Sequence, residues 1–233
     1  MYASTTQAPV LVVGAAHVVD LNAPLRALFR ERTLDAIAIE LDAERASHLL
    51  APHPEGHRGS GGPLFLKLWA LLQRRLGSSI GAGEPGAEMK TAADIARERS
   101  LPLFLIDDPI RETLARLVRS MSLRERVSIV AGAVVGLFVP SRLVEHQLET
   151  YTESPTQYME EVRQLYPTVA RVLLDDRNEH MADRLAELRV RGYGRVAAVV
   201  GDAHVAGLAD ALRRRGVPVE TVAFRELRAT RAP

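Results

Sequence analysis

At 233 residues, 47% apolar, and with 30 basic against 29 acidic side chains, the chain can bury a real core, which excludes a disordered protein and leaves no global field for nucleic acid or an anionic membrane. It has no cysteine, which removes disulfides, thiolate metal sites and cysteine nucleophiles together, so that any metal would be held by nitrogen and oxygen. Lys67 and Lys90 are the only lysines; the arginine bias reads either as a GC-rich genome or as guanidinium forks for anions.

The N-terminal MYASTTQAP has neither a basic start nor an apolar centre, so no signal peptide is read and the expected location is intracellular, in the cytoplasm. The apolar run Val10 to Val13 predicts a strand that feeds VVGAAHV, Val12 to Val18. Next comes LNAPLRALFRER, whose Leu21, Leu25, Leu28 and Phe29 recur at helical spacing, and then a second strand, Ala36 to Glu40. Glu40 ends that buried run, where a carboxylate costs several kcal/mol unless paired or metal-bound; Arg45 is near enough in sequence to pair with it.

Between Leu50 and Glu88, the loops PHPEGHRGSGGP and GSSIGAGEPG flank an amphipathic LFLKLWALLQRRL, an arrangement suited to a lid. GAEMKTAADIARERSLP then opens a helix with Glu88 in its first turn, where a carboxylate suits the positive helix end. Leu103 to Ile106 is the third strand. In LIDDPIRETLARL that follows, Asp107 or Asp108 is predicted to N-cap a helix opened by Pro109, with Arg111 and Arg116 on it.

From Pro109 to about Val190 the pattern is almost wholly helical. The uncharged VSIVAGAVVGLFV, Val127 to Val139, would rise about 20 Å as a helix, short of a membrane's roughly 30 Å core, and is expected to be buried or to face a partner. Its Gly132 and Gly136 form a small-xxx-small face on which a homodimer would close. In DDRNEHMADRL, the residues Asp176, Arg177, Glu179 and His180 read mostly as a solvated charged face. Val196 to Val200 is the fourth strand; it feeds VVGDAHV, Val199 to Val205, then a helix marked by Leu208, Ala209 and Leu212, then a fifth strand, Val219 to Phe224.

The chain thus writes strand, Gly-x-x-His, helix, strand twice. In parallel α/β sheets ligands gather outside the carboxyl ends of the strands, so His17 and His204 are expected to face one pocket. His48, His53, His57 and His146 lack such a context and read as surface residues. The expected fold class is α/β, a mostly parallel central sheet with two strand–GxxH–helix repeats, in a single domain over 1–233 with a mainly helical insertion at about 109–190.

Taken in order, VVGAAHV, AIELDAER, GAEMKTAADIA, LIDDPIRETLARL, LLDDRNEHMA and VVGDAHVAGL resemble the TraB/PrgY family, related to the Tiki and GumN proteins, over nearly the whole chain. The resemblance implies an α/β fold and a metal-dependent hydrolase or protease site built from two Gly-x-x-His motifs and a glutamate. Animal relatives are described as divalent-metal proteases, and a bacterial relative restrains a peptide pheromone. Carried onto this sequence, it points to His17, Glu40, Arg45, Glu88, Arg116, Arg177 and His204. Asp108 stands where the family commonly has arginine. Many relatives carry membrane segments after the second motif, whereas this chain ends about 30 residues beyond it, so a soluble domain without a transmembrane segment is expected.

Two imidazoles with one or two carboxylates suit Mn, Fe, Co or Zn, with Mn, Co or Zn the candidates here. On that reading His17, Glu40 and His204 are ligands, Glu88 is a ligand or general base, and Arg45, Arg116 or Arg177 steady a carboxylate or a developing oxyanion. The substrate would be a peptide or a small amide or ester. Two alternatives stand beside it: a metal-independent hydrolase with a histidine as general base, and a non-enzymatic module that sequesters a peptide. Neither motif contains the Gly-x-Gly-x-x-Gly of a dinucleotide site.

Overall fold

The computed structural model describes residues 8–15, 21–50, 86–136, 160–161 and 163–229. Five strands form one wholly parallel sheet: β1 (Val10–Ala15), β2 (Ala36–Ile39), β3 (Leu103–Leu105), β4 (Val196–Gly201) and β5 (Val219–Val222), in the order β3-β2-β4-β1-β5. All five match runs that the sequence marks as strands. The expected fifth strand stops earlier, because Phe224 opens α9 (Phe224–Ala229) and sends its ring into the core.

The helices fall on both faces, and the strand alternation says which. Leu11, Val13, Ile37, Ile39, Ala197 and Val199 point to one side. There they meet Leu25 and Phe29 of α1 (Asn22–Arg30), Ala46 of α2 (Ala43–Leu49), Met89 and Ile95 of α3 (Ala87–Glu98), and Leu227 of α9. Val10, Val12, Ala36, Ala38, Val196, Ala198 and Val200 point to the other, against Met181 and Leu185 of α7 (Asp176–Val190) and Leu208 and Leu212 of α8 (Asp202–Arg214). Strands buried on both faces are what continuous Val/Ala/Ile runs produce. Each large side chain so covered contributes about 1.5–3 kcal/mol relative to exposure.

Between Ile110 and Val190 the described elements are helical: α4 (Ile110–Ser120), α5 (Leu123–Gly136), α6 (Pro167–Ala170), a π-helical turn (Arg171–Asp175) and α7. Leu117, Met121 and Val172 pack α4 on the π turn. Ser122, just before α5, and Glu125 form a reciprocal capping box, and Glu125 also accepts from the N–H and hydroxyl of Thr168. Gly132 and Gly136 belong to α5, while Leu123 and Val127 at its start are exposed. No helix among the described residues is long and apolar enough to cross a membrane.

Connectivity positions the site. From β1 the chain crosses through α1 to β2, skipping the place of β4; from β4 it crosses through α8 to β5, skipping β1. The two crossovers lie on opposite faces. The carboxyl end of β4 is therefore flanked by strands whose chains leave to the other side, which is the switch point where parallel sheets open a crevice.

In the register of β1 and β4, Gly14 stands opposite Val200 and Ala15 opposite Gly201. A Cβ on Gly14 would fall inside contact of the Asp202 carboxylate and 2.8 Å from a Val205 methyl. Asp202 is the one residue at which the two heptads differ, answering to Ala15, and its carboxylate accepts from the Phe224 N–H at 2.8 Å. The second heptad thus leans on the glycine of the first. The expected lid helix, together with His17, His53, His57 and His146, lies outside the described residues.

Candidate functional site at the end of the central strand

Glu40 follows β2 and its N–H still bonds the Val199 carbonyl at 3.1 Å, so its side chain emerges at the carboxyl edge. One carboxylate oxygen, Oε2, accepts from the Gly201 N–H at 2.6 Å. Across β4, His204 sits buried in the first turn of α8. Its Nδ1 is 2.8 Å from the Asn178 side-chain oxygen, an acceptor only, so the network assigns the proton to Nδ1 and a lone pair to Nε2. That lone pair accepts from Arg177 Nη1 at 3.1 Å and lies 3.3 Å from Glu40 Oε1. Burial, aided by the charges of Arg177 and Arg45 and opposed by Glu40 and Asp107, holds the imidazole below its ordinary pKa, in the neutral form.

Asn178 reaches the ring across Gly207, one turn along α8 from His204. A Cβ there would overlap the Asn178 amide.

Arg177 joins the parts. Its Nε and Nη2 grip Asp107 at 2.9 and 2.6 Å, Nη2 also donates to Glu40 Oε1, and Nη1 donates to the Leu173 carbonyl at 3.1 Å as well as to His204. All five N–H groups of the fork have partners. Leu173 belongs to the π turn; such turns free carbonyls and recur at functional sites. Burial would lower the Arg177 pKa, but Asp107 and Glu40 outweigh it and raise it, so the guanidinium is permanently charged.

Asp107 has no exposed side-chain surface. Burial would raise its pKa, yet Arg177 and Arg45 hold it below the usual carboxylate range. Arg45 donates to Asp107 through Nη2 and to Asp42 through Nε at 2.8 Å. Asp42 caps two helices at once, accepting from the Arg45 N–H of α2 at 2.8 Å and from the Ile110 N–H of α4 at 3.0 Å. The expectation that Asp107 or Asp108 caps α4 is therefore corrected. Pro109 occupies the N-cap without a side-chain bond, Asp42 takes the Ile110 N–H, and both aspartates are drawn to arginines instead.

The predicted site residues divide. Glu40, Arg45, Arg177 and His204 belong to one hydrogen-bonded network with Asp42, Asp107 and Asn178. Arg116 is outside it, paired with Asp108, which also lies 3.1 Å from His180 Nδ1. Glu88 is buried at the start of α3, between Gly86 and Met89. Those two residues line a cleft of about 430 Å³ with Glu40, Leu41, Arg45, His48, Leu49 and Gly201. Within the charged run of DDRNEHMADRL, Arg177 is the member turned inward: its side chain is 12% exposed, against 33% for Asp176, 47% for Glu179 and 35% for His180.

The network holds three carboxylates, Glu40, Asp42 and Asp107, against two guanidiniums, Arg45 and Arg177, so with a neutral His204 it is one negative charge in excess. A cation suits it. Glu40 Oε1 and His204 Nε2, 3.3 Å apart, are spaced as neighbouring ligands of one ion with bonds of about 2.0–2.2 Å would be, and the Asn178 bond to Nδ1 is the outer support that a ligating histidine commonly has. These two donors fit a divalent ion. Arg177 contacts both of them, so it would have to yield those contacts to it. Among the described residues no group of three or more His, Cys, Asp and Glu is placed to hold a metal ion, and His17 lies outside them.

A family model described as TraB/PrgY/gumN matches residues 3–221. The chain is a member of the TraB/PrgY/gumN family. A curated relative, the uncharacterized protein MJ1365 of Methanocaldococcus jannaschii, is 29% identical over 230 residues, which cover 92% of this chain and 56% of that protein. This TraB/PrgY/gumN chain therefore spans little more than half the length of that relative.

Proposed function

We propose that the chain hydrolyses a peptide or another amide or ester with the help of a divalent metal ion. The observation that carries this reading is the Glu40–His204 donor pair, set at the switch point of a parallel sheet inside a network with one uncompensated negative charge. When bound, the ion would polarise a carbonyl and acidify a water molecule. Glu40 Oε1 and His204 Nε2 would hold it, with His17 as a further ligand and Glu88 as ligand or base. Asn178 keeps the His204 lone pair directed, and Gly201 N–H fixes the other oxygen of Glu40. Arg177, anchored on Asp107, remains as a cation next to the reacting group, where it would stabilise negative charge developing on the carbonyl oxygen.

One observation favours a second reading. Arg177 already supplies donors to both Glu40 and His204, and a neutral His204 whose Nε2 were released by Arg177 would have a lone pair to take a proton from water. Purification with Mn, Co or Zn, metal analysis, and digestion of a peptide library with and without chelator separate the two. The first reading expects stoichiometric metal, cleavage lost in chelator, and metal lost in Glu40→Gln. Cleavage that survives chelator selects His204 as base. Tight peptide binding with no cleavage under any metal makes the chain a sequestering module and overturns both hydrolase readings.

A further inference from the structure

The cleft next to Glu40 is not used by the chemistry above. Its polar lining is Glu40, Arg45 and His48 with the Gly201 backbone, and its apolar wall is Leu41, Leu49 and Met89 beside Gly86. Leu41 and Met89 are buried members of the core on that face and Leu49 packs against it, so this wall is rigid rather than a loop surface. The Arg45 fork at the cleft is divided between Asp42 and Asp107 and brings no net positive charge to it, while the network behind carries excess negative charge. A cavity of this size with an apolar wall and a small number of polar groups is the usual form of a small-molecule or side-chain pocket.

We propose that this cleft receives an apolar side chain of a peptide substrate, of leucine or phenylalanine size, and so fixes which amide lies at Glu40 and His204. The proposal rests on the hydrolase reading and deepens it by naming the substrate class. An acidic side chain would lose its hydration against Leu41, Leu49 and Met89; a small one leaves that wall uncovered. Leu49 and Met89 are the specificity-determining residues. Neither belongs to the hydrogen-bonded network, so changing them alters selection and not the chemistry.

The test uses blocked hexapeptides of alanine and serine in which one residue, moved along the chain, is Ala, Leu, Phe or Asp. Binding is measured by calorimetry and cleavage by mass spectrometry, in the whole chain and in Leu49→Trp and Met89→Trp, each first checked for an unchanged thermal transition. Leu and Phe peptides should bind and be cut about 10–200-fold better than the Ala peptide, the range that a few methylenes command in an apolar pocket. Cleavage should fall at one fixed distance from the Leu. In Leu49→Trp that preference should collapse while the Ala peptide is handled as before; Met89→Trp repeats the test should the first variant not fold. Side-chain preference in binding without cleavage keeps the pocket and removes the hydrolase reading. Cleavage indifferent to the residue, preference unchanged in both tryptophan variants, or no binding by any peptide overturns the pocket, and the first two of these leave the hydrolase reading standing.

Discussion

Arg32 and Arg177 each grip a carboxylate with two nitrogens, Arg32 on Glu220 at 2.7 and 2.6 Å and Arg177 on Asp107 at 2.9 and 2.6 Å. Bond lengths do not distinguish them; surroundings do. The Arg32 pair is 37% exposed on both sides, whereas Arg177 is nearly buried and Asp107 wholly so. At the surface, water competes for every bond and salt screens the attraction, so such a pair is worth about 0–1 kcal/mol. Inside, removing two ions from water costs several kcal/mol each and is offset only when every donor and acceptor is used. That Arg177 uses all five of its N–H groups is thus a condition of its being there, and it marks the site better than ion-pair geometry does.

Breaking the buried side should give the largest effect. Arg177→Met leaves Asp107 and Glu40 without their main counter-charge, and urea unfolding should show a loss of about 3–5 kcal/mol. Arg177→Met with Asp107→Leu should recover part of it, because the buried Asp107 charge goes with its partner while Glu40 stays without its guanidinium. Next comes the support of His204. Gly207→Ala drives a methyl into the Asn178 amide, costing about 1–3 kcal/mol by overpacking, and should shift the His204 ring nitrogens in an NMR spectrum as the Nδ1 bond is lost. An unchanged ring spectrum would mean that Asn178 does not set the tautomer.

Acid sharpens the comparison further. Asp107 and Glu220 both have folded pKa values lowered by their arginines, so each stabilises the fold above its unfolded value, about 3.9 for Asp and 4.3 for Glu, and that stability is lost as the pH falls through the folded values. The urea midpoint should therefore drop below about pH 4 in the wild type. Molar salt should flatten the part due to Glu220, not the part due to Asp107. The smallest effect is expected from Arg32→Ala, at most about 1 kcal/mol and absent in molar salt.

The strands were legible because β1, β2 and β4 are short apolar runs buried on both faces, and the partly buried edge strands β3 and β5 still stand between helical patterns. Glu40 and His204 were legible because a carboxylate at the end of such a run, and a histidine after a repeated strand-glycine turn, are unusual placements. Asp107 was not, since Asp-Asp-Pro before a helix also describes a cap; only the third dimension shows that Asp42, more than sixty residues earlier, already holds the Ile110 N–H. Asn178 carried a signal that went unused. It stands three and seven residues before Met181 and Leu185, on the buried stripe of α7, where a polar side chain needs a partner. Its access to His204 depends on Gly207, and nothing local in a sequence says which glycine faces which amide.

The place of β1 has a consequence during synthesis. Both of its neighbours come from the end of the described chain: Leu11 pairs with Ala197 on one side and with Glu220 on the other. At about 5–20 residues per second, the first strand leaves the ribosome roughly 10–40 s before β4 and β5 exist. For that interval an apolar ribbon with two unpaired edges must be kept from other chains. The sheet's centre can therefore close only once β4 and β5 have been made, and yield in the cell should depend on holding chaperones as well as on the stability of the folded sheet.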